Sequence, residues 1–550
     1  MRITTRRALL ALSLCLGLAS TSAVHAQSNT IPGLDVQLAF MDDVSARGRT
    51  GTYPTGVNGV AIETTICNRG SVEVDWFAPM DPRHPMIAFL IARESDGRLE
   101  QISDRSYLKH GFFALTSSQC TSCSPPGGPS GSRLGLGCSD TYSVFNNGDN
   151  YWLGPPEEID PWLGTWDPIC SWFDMGTMPT GGAADCDGQR SLTYPQSNAL
   201  GPVGNRINVL DEDLDVPGAN FFYQGYYVVL GEAEADRQNN LATQRMNASW
   251  TGSQWNLSDV GQLRNDTILS QWSGATVTSA TNGADDGRVY VAVNVTGPVD
   301  GLYHYEYAVH NRDNFQGLDG FRIPVCDGAQ VLNFGFHDVD QDGTNEWSAS
   351  VSGGEIAFTT AGDNPLQWNT FFNFWFDSDA ATTAGMASLD QFQLVAGAPS
   401  FDVDTTIPGA LYNANIGEGC ALGTAPALFS NDRATIGNAG FTLETTGNVP
   451  GQANALLLSA VEGSLPLAGG CTLWLGGTLG VEIAINGLGV ADGTGRVVYS
   501  APVPADISLE GLRMSAQTVG VNPGGGAAYN VIELSNGLLV RVGDTISECP

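Results

Sequence analysis

Positive charge is scarce in this sequence, and charged residues of both signs are fewer than usual. The 550 residues contain 24 lysines and arginines against 58 acids, which gives a formal net charge of −34. Lys109 is the only lysine. So acidic a chain would repel phosphate, which excludes a general nucleic-acid binder. Charged residues make up 15% of the chain, below the roughly 25% of an average soluble protein. No long stretch shows the 3.6-residue period of an amphipathic helix.

Long apolar runs are also missing after the first 26 residues. No later segment reaches about 18 uninterrupted apolar residues, so the mature chain contains no predicted transmembrane segment. An arginine-rich start, an apolar stretch over residues 8–19 and a small-residue site ending at Ala26 predict a signal peptide, residues 1–26. We therefore expect a secreted protein, extracellular, periplasmic or at the cell surface. Arg6 and Arg7 also fit a twin-arginine signal, so both export routes stay open.

Glycine is abundant, with 68 residues beside 28 prolines, and 42% of the chain is hydrophobic. Short runs rich in β-branched and aromatic residues alternate with turn residues, which predicts strands at 57–67, 86–93, 221–230, 288–296 and 302–311. Along the last run, a period of two places Tyr305 and Tyr307 on one face and His304 and Glu306 on the other. The aromatic run 371–376 shows the same alternation, with three phenylalanines on one face. These patterns predict an all-β fold.

The predicted organisation has three parts after the signal peptide. Residues 27–395 form a large N-terminal β-sandwich region of one or two domains, with an irregular cysteine-, tryptophan- and proline-rich insert at about 115–197. So long a loop is usually functional or disulfide-stapled, and five cysteines favour the second. Residues 396–416 are a predicted linker. Residues 417–550 are predicted to form a C-terminal β-sandwich, because short strand-like runs alternate there with glycine-rich turns.

Eleven cysteines become ten once Cys15 of the signal peptide is removed, and an even number in an exported chain predicts disulfides. Cys420 and Cys471 are isolated in the last third, so we expect them to pair. The connectivity of the others stays open: Cys67, Cys120, Cys123, Cys138, Cys170, Cys186, Cys326 and Cys549. A zinc site built from Cys120, Cys123, Cys138 and His110 is the alternative, which an oxidising compartment disfavours.

One acidic segment has the spacing of a calcium loop. The candidate ligands are Asp338, Asp340, Asp342 and Glu346, with Gly343 at the sharp turn. Alternating oxygen ligands followed by glycine are typical of the first half of such a loop. The twelfth position is Ala349, so a complete EF-hand is excluded. Structural calcium is the prediction, and an acidic turn without metal is the alternative.

The mature chain has five histidines, and imidazole is a preferred ligand of copper and iron. They are His84, His110, His304, His310 and His337. On one strand, His304 and His310 would lie about 20 Å apart at about 3.3 Å per residue, so at most one of them joins a common site. Hydrogen-bonded structural histidines are the alternative interpretation.

Several stretches resemble a family of large secreted bacterial proteins. The resemblance covers about 34–395 and rests on the segments 109–115, 120–123, 134–140 and 305–311. From about residue 417 the chain resembles a β-sandwich module that is appended to many secreted bacterial proteins, through 419–420, 450–453, 470–471 and 535–538. Neither resemblance supplies a catalytic residue or a reaction.

Together these features predict a secreted or surface-associated binding or structural protein, stabilised by disulfides and calcium. The expected partner is a polysaccharide or another cell-surface component. The alternative is a secreted oxidoreductase that uses copper or iron held by some of the histidines. The sequence identifies no catalytic residue.

Overall fold

The computed structural model describes most of the chain between residues 30 and 543. The described ranges are 30–77, 80–111, 113–174, 185–282, 287–299, 301–326, 329–340, 342–362, 364–394, 397–410 and 413–543. The predicted signal peptide and Cys549 lie outside them. Helices in these ranges are short: α1 (Val144–Asn147), α2 (Tyr194–Asn198), α3 (Asp211–Leu214), and 3-10 turns at Asn150–Trp152, Pro156–Glu158, Arg237–Asn240, Ile268–Gln271, Ala468–Gly470 and Ile507–Leu509. Within the described part of the chain, none is long and apolar enough to cross a membrane.

The first sandwich contains strands β1 to β17. They are β1 (Val36–Phe40), β2 (Val44–Thr50), β3 (Val57–Ile62), β4 (Thr64–Asn68), β5 (Val74–Asp75), β6 (Met86–Ser95), β7 (Arg98–Gln101), β8 (Leu108–His110), β9 (Arg133–Leu134), β10 (Ser139–Tyr142), β11 (Leu153–Gly154), β12 (Ile159–Asp160), β13 (Thr165–Trp166), β14 (Ile207–Leu210), β15 (Asn220–Val228), β16 (Leu241–Trp250) and β17 (Trp255–Arg264). A seven-stranded antiparallel sheet has the order β11-β8-β6-β15-β16-β17, with β7 paired to β6. Two three-stranded sheets, β1-β4-β10 and β14-β3-β2, cover one of its faces.

The second sandwich contains β18 to β27. They are β18 (Thr276–Thr281), β19 (Arg288–Val299), β20 (Leu302–Asn311), β21 (Leu318–Pro324), β22 (Val331–His337), β23 (Ser348–Ser352), β24 (Glu355–Thr359), β25 (Thr370–Ser378), β26 (Ala381–Gln391) and β27 (Ser400–Ala410). Two five-stranded sheets, β18-β19-β20-β25-β22 and β23-β24-β21-β26-β27, face each other. Tyr305 and Tyr307 pack between them with Phe372, Phe374 and Phe376, so the predicted alternation of both aromatic runs is confirmed.

The third sandwich contains β28 to β38. They are β28 (Asn413–Gly417), β29 (Ala427–Ser430), β30 (Thr442–Thr446), β31 (Ala453–Ser459), β32 (Leu465–Pro466), β33 (Thr472–Leu473), β34 (Ile483–Val490), β35 (Val497–Ser500), β36 (Arg513–Val521), β37 (Ile532–Leu534) and β38 (Gly537–Arg541). A six-stranded sheet packs on the three-stranded sheet β29-β30-β35. The predicted linker 396–416 differs from the structure, because β27 belongs to the second sandwich and β28 to the third.

The first two sandwiches share a core. Strand β6 is apolar on both faces: Ile87 and Phe89 point into the first sandwich, whereas Met86 and Leu90 point away from it. Those outward side chains pack with Phe371 and others from the second sandwich. Strands buried on both faces have nearly continuous apolar sequences, which explains β6. The result is a stack of four β layers.

Disulfides close the insert and the third sandwich. The pairs are Cys67–Cys120, Cys123–Cys138, Cys170–Cys186 and Cys420–Cys471. The predicted Cys420–Cys471 pair is therefore confirmed, and the zinc alternative loses its thiolates to disulfides. Cys326 is also disulfide-bonded. Five two- to four-residue strands, β9 to β13, and the helices α1 and α2 lie in the insert.

Candidate functional site

The densest polar cluster lies where the insert covers the edge of the seven-stranded sheet. Its centre is the histidine pair, His84 and His110, beside Lys109. His84 ends the turn before β6, and its N–H donates to the carbonyl of Asp81 at 3.2 Å. His110 ends β8 and lies opposite Met86 in the ladder. Because neighbouring residues of a strand point to opposite faces, Lys109 and His110 enter different cores.

The two imidazoles are hydrogen-bonded to each other. Nε2 of His84 lies 2.6 Å from Nδ1 of His110, and one of the two nitrogens donates the proton. Trp166 packs against both rings, at centroid distances of 4.9 and 4.8 Å. Phe173 packs edge-on against His110 at 4.7 Å. Two aromatic residues of the insert therefore enclose the pair.

The other nitrogen of His110 faces the backbone of β11. A Cβ at Gly154 would lie 2.5 Å from Nε2, so only glycine fits beside the ring without displacement. Nε2 is buried and has no hydrogen-bond partner. Burial lowers the pKa of His110 well below its ordinary value, and the charges of His84, Lys109 and Arg190 lower it further. His110 is therefore neutral at physiological pH.

Lys109 is buried on the opposite face of β8. Its Nζ donates to the carbonyl of His110 at 2.7 Å and lies 4.9 Å from the ring centre of Tyr142. Burial lowers the pKa of Lys109 well below its ordinary value, although Asp149 and Asp140 oppose that shift. Burial also raises the pKa of Asp140 to about 7. The only lysine of the chain thus lies in an aromatic enclosure, with a pKa well below its ordinary value.

The three side chains of this cluster are buried among the described residues. His84 is 1% exposed, and Lys109 and His110 are 0% exposed. General acid–base or nucleophilic chemistry requires contact between the side chain and the reacting group. The observed contacts of the cluster are packing and hydrogen bonds beneath the insert.

The other three histidines are placed elsewhere. His304 and His310 lie on β20, in the second sandwich, and His337 ends β22. His310 is buried with Nδ1 2.8 Å from Oγ1 of Thr267, and burial lowers its pKa to about 3. Across the described ranges, no group of three or more histidine, cysteine or acidic ligand atoms within 4.8 Å of one another includes a histidine. Copper or iron binding stays a prediction, with His84 and His110 as its only adjacent histidines among the described residues.

The predicted calcium loop follows β22. Asp338 is 4% exposed, and its Oδ2 accepts a hydrogen bond from Asn364 at 2.5 Å. Oδ1 of Asp340 accepts from the N–H of Asp342 at 2.7 Å. Burial raises the pKa of Asp338 to about 6, with Asp340 and Glu346 contributing. Among the described residues, these acids do not form a group with all ligand atoms within 4.8 Å, and calcium there stays a prediction.

The sequence reasoning missed one group of acids. Asp174, Asp185 and Asp187, all in the insert, have ligand atoms within 4.8 Å of one another. The Asp185-x-Asp187-Gly188 spacing repeats that of Asp340-x-Asp342-Gly343 and is the signal that identifies it. Asp174 is eleven positions earlier, and the Cys170–Cys186 disulfide brings the two segments together.

Fold and cluster together define a class: a disulfide-bonded, all-β protein with a buried histidine pair and a buried lysine. No protein-family model matches the chain, and no curated protein matches it. Among solved structures it is similar to BcpA, the major pilin subunit of Bacillus cereus, with 10% identity, a TM-score of 0.17, and coverage of 62% of this chain and 85% of that chain.

Two bacterial macroglobulins show a similarly weak likeness. For Escherichia coli alpha-2-macroglobulin activated by porcine elastase, the identity is 8% and the TM-score 0.14, over 92% of this chain and 35% of that chain. For Salmonella alpha-2-macroglobulin reacted with methylamine, the values are 9% and 0.17, over 94% and 38%. At these TM-scores none of the likenesses bears on function.

Proposed function

We propose that this protein is a secreted or surface-associated structural and binding protein whose framework is held by disulfides. One observation carries the proposal: the insert, closed by three disulfides, covers the histidine pair and Lys109 completely. The side chains best suited to catalysis are therefore part of the packed interior. Disulfides persist in oxidising compartments outside the cytosol, which supports the location.

The contact between the first two sandwiches supports a rigid framework. Nδ2 of Asn373 donates to the carbonyl of Leu99 at 3.0 Å, and Nδ2 of Asn369 donates to that of Phe89 at 2.9 Å. Oε1 of Gln101 accepts from the N–H of Phe371 at 2.8 Å. Buried hydrogen bonds of this kind fix orientation in addition to the apolar contact. The two sandwiches act as one body in this proposal.

The proposed binding surface is the cleft between the second and third sandwiches. Tyr303, Asp379, Asn415, Phe429 and Arg433 are among the residues that line it. Half-buried rings beside amide and acidic groups suit a polysaccharide or another cell-surface component, because sugars stack on rings and bond polar groups. Calcium at Asp338, Asp340, Asp342 and Glu346 is the structural ion of the proposal.

The oxidoreductase alternative is not favoured by the geometry. The 2.6 Å separation within the histidine pair is that of a hydrogen bond, and two nitrogens that bind one metal at about 2.0 Å are usually farther apart. Near-stoichiometric copper or iron in protein purified without chelator would reverse this preference.

The test is fractionation of cells that export the protein, followed by thiol alkylation and mass spectrometry. We expect the chain in the extracellular or surface fraction, without alkylated cysteine until a reductant is added. Binding of the purified protein to isolated cell-surface polysaccharide is expected, and Arg433→Ala should weaken it relative to Arg513→Ala, which lies outside the cleft. Cytoplasmic protein with free thiols would contradict the proposal.

A further inference from the structure

Three acids of the insert converge beside the Cys170–Cys186 disulfide. The ligand atoms of Asp174, Asp185 and Asp187, here called the acidic triad, all lie within 4.8 Å of one another. Ca²⁺ takes oxygen ligands at about 2.3–2.6 Å, so two ligands of one ion are at most about 5 Å apart. The spacing of the acidic triad fits that limit.

Asp174 is the buried member of the acidic triad and has an unused oxygen. The residue is 0% exposed. Its Oδ2 accepts the N–H groups of Cys170 and Gly188, both at 2.9 Å. Its Oδ1 is buried and has no hydrogen-bond partner. An ionised oxygen without a donor is costly to bury, so something positive is required next to it.

The neighbouring acid cannot supply that charge. Ligand atoms of Asp174 and Asp185 lie within 4.8 Å of each other. Both accept hydrogen bonds when ionised, so their contact is stable only if a proton or a cation lies between them. No arginine or lysine forms an ion pair with the acidic triad in the described part of the chain.

We infer that the acidic triad binds one divalent cation of the calcium type. Three carboxylates, one of them buried, form a hard-oxygen ligand set, which suits Ca²⁺ better than a transition metal. Mg²⁺ is less suitable, because it demands near-ideal octahedral geometry and loses its waters reluctantly. Asp187 adds a third carboxylate to the set, which increases the attraction of the acidic triad for a divalent cation.

The cation would reinforce the enclosure of the histidine pair. Asp174 follows Phe173, whose ring packs against His110, and the N–H groups of Ser191 and Leu192 donate to the carbonyl of Phe173 at 2.8 and 3.1 Å. An ion bound by Asp174, Asp185 and Asp187 would connect the segment at Asp174 to the segment at Asp185 and Asp187. The Cys170–Cys186 disulfide already connects the same two segments. The inference does not depend on the proposed function.

Terbium luminescence on the full mature chain tests the inference. Tb³⁺ replaces Ca²⁺ at oxygen sites, and Trp172, two residues before Asp174 in the sequence, is the expected sensitiser. We expect Tb³⁺ luminescence that decreases when Ca²⁺ displaces the Tb³⁺. Calorimetry with Ca²⁺ alone should detect a site that the Asp340→Asn variant retains. Asp185→Asn combined with Asp187→Asn should weaken this site about tenfold or more. Asp167→Asn, an exposed acid of the same insert, is the control that should leave it intact.

Two results would overturn the inference. One is an Asp340→Asn variant that binds no Ca²⁺. The other is a folded Asp340→Asn protein that also carries Asp185→Asn and Asp187→Asn and still binds as much Ca²⁺ as Asp340→Asn alone. If the double variant does not fold, carbodiimide labelling of the wild-type chain decides. Ca²⁺ should protect Asp185 and Asp187 from labelling but not Asp167, and equal labelling with and without Ca²⁺ would refute the site.

Discussion

At the scale of single residues, the histidine pair depends on the absence of a side chain opposite it. Gly154 lies in β11, and an added Cβ would lie 2.5 Å from Nε2 of His110 and 3.3 Å from Cζ of Phe173. The ring cannot yield easily, because Trp166 and His84 pack on its other sides. Contacts of this kind are the usual cause of overpacking strain in a core.

Gly154→Ala is therefore expected to lower the free energy of unfolding by about 1–3 kcal/mol. Denaturant unfolding followed by tryptophan fluorescence measures the change. Gly127→Ala is the matched control, because a Cβ there meets nothing within 4 Å, and its effect should stay within about 0.5 kcal/mol. Equal effects of the two substitutions would show that the enclosure around His110 is not tightly packed.

His304 provides a pH-dependent contact in the second sandwich. Its Nδ1 lies 2.7 Å from Oδ1 of Asp377, and its Nε2 lies 3.2 Å from Oε2 of Glu306. The hydrogen bond to Glu306, followed by that to Asp377, raises the pKa of His304 above its ordinary 6.5. A raised folded-state pKa means that protonation stabilises the fold. This contribution is complete below about pH 6.5 and is lost as the pH rises through the folded-state pKa.

We expect His304→Gln to flatten the decline in melting temperature as the pH rises above about 6.5. The effect should be small and sensitive to salt, because the imidazole is 42% exposed. NMR titration of His304 in the wild-type chain provides the direct measurement. A titration midpoint at or below about 6.5 would contradict the prediction.

At the scale of elements, one ion pair joins β7 of the first sandwich to β20 of the second. Nη2 of Arg98 donates to Oε2 of Glu306 at 2.7 Å, and the guanidinium lies 3.8 Å from the ring centre of Trp375. The Glu306 side chain is only 5% exposed. Removing the arginine would leave this carboxylate buried with His304 as its remaining partner.

Arg98→Met is expected to lower the free energy of unfolding by about 2–3 kcal/mol, less than the roughly 3–5 kcal/mol of a fully buried pair, because Arg98 is partly exposed. Adding Glu306→Gln should restore part of that loss, since it removes the unpaired charge. Arg133→Met breaks an exposed pair with Glu73 and should change stability by less than about 1 kcal/mol. Urea unfolding of the four variants measures the coupling, and additive effects of Arg98→Met and Glu306→Gln would contradict it.

Elements with strong alternation were predictable, and edge elements were not. Strands β20 and β25 alternate aromatic residues with polar ones, so their inward faces could be predicted. Strand β27 was interpreted as linker because of the glycine, proline and threonine residues in its stretch, although Phe401 and Val403 point inward and alternate with Asp402 and Asp404. It pairs with one neighbour only and contains Pro408, which an edge strand tolerates. The composition of β27 therefore resembles that of a loop between domains.

At the scale of the whole molecule, local sequence patterns do not predict which elements pack against each face of a strand. The apolar character of β6 on both faces indicates double burial, but it does not identify β19, β20 and β25 as the covering layer. The acidic triad was missed for a similar reason, because Asp174 meets Asp185 only through a disulfide whose partner the spacing does not determine. Chemistry created by long-range pairing needs the fold before it can be recognised.

A chain with a net charge of −34 has a general reason to bind Ca²⁺, because a divalent cation reduces self-repulsion where acids cluster. Calcium bound to the folded state alone stabilises it by about 2.7 kcal/mol when free Ca²⁺ is about 100 times its Kd. We therefore expect EGTA to lower the melting temperature, and Ca²⁺ rather than Na⁺ to restore it.

The acidic loop at 338–346 has a matched control elsewhere in the chain. Oδ1 of Asp342 accepts hydrogen bonds from the N–H and Oγ1 of Thr344, at 3.1 and 2.5 Å. Oδ1 of Asp492 accepts the same pair from Thr494, at 2.8 and 2.7 Å. Asp342→Asn should reduce the calcium-dependent rise in melting temperature, and Asp492→Asn should leave it unchanged. If both variants respond equally to Ca²⁺, other acids are responsible for the calcium-dependent rise in melting temperature. If EGTA does not change the melting temperature of the wild-type chain, residues 338–346 are an acidic turn without metal.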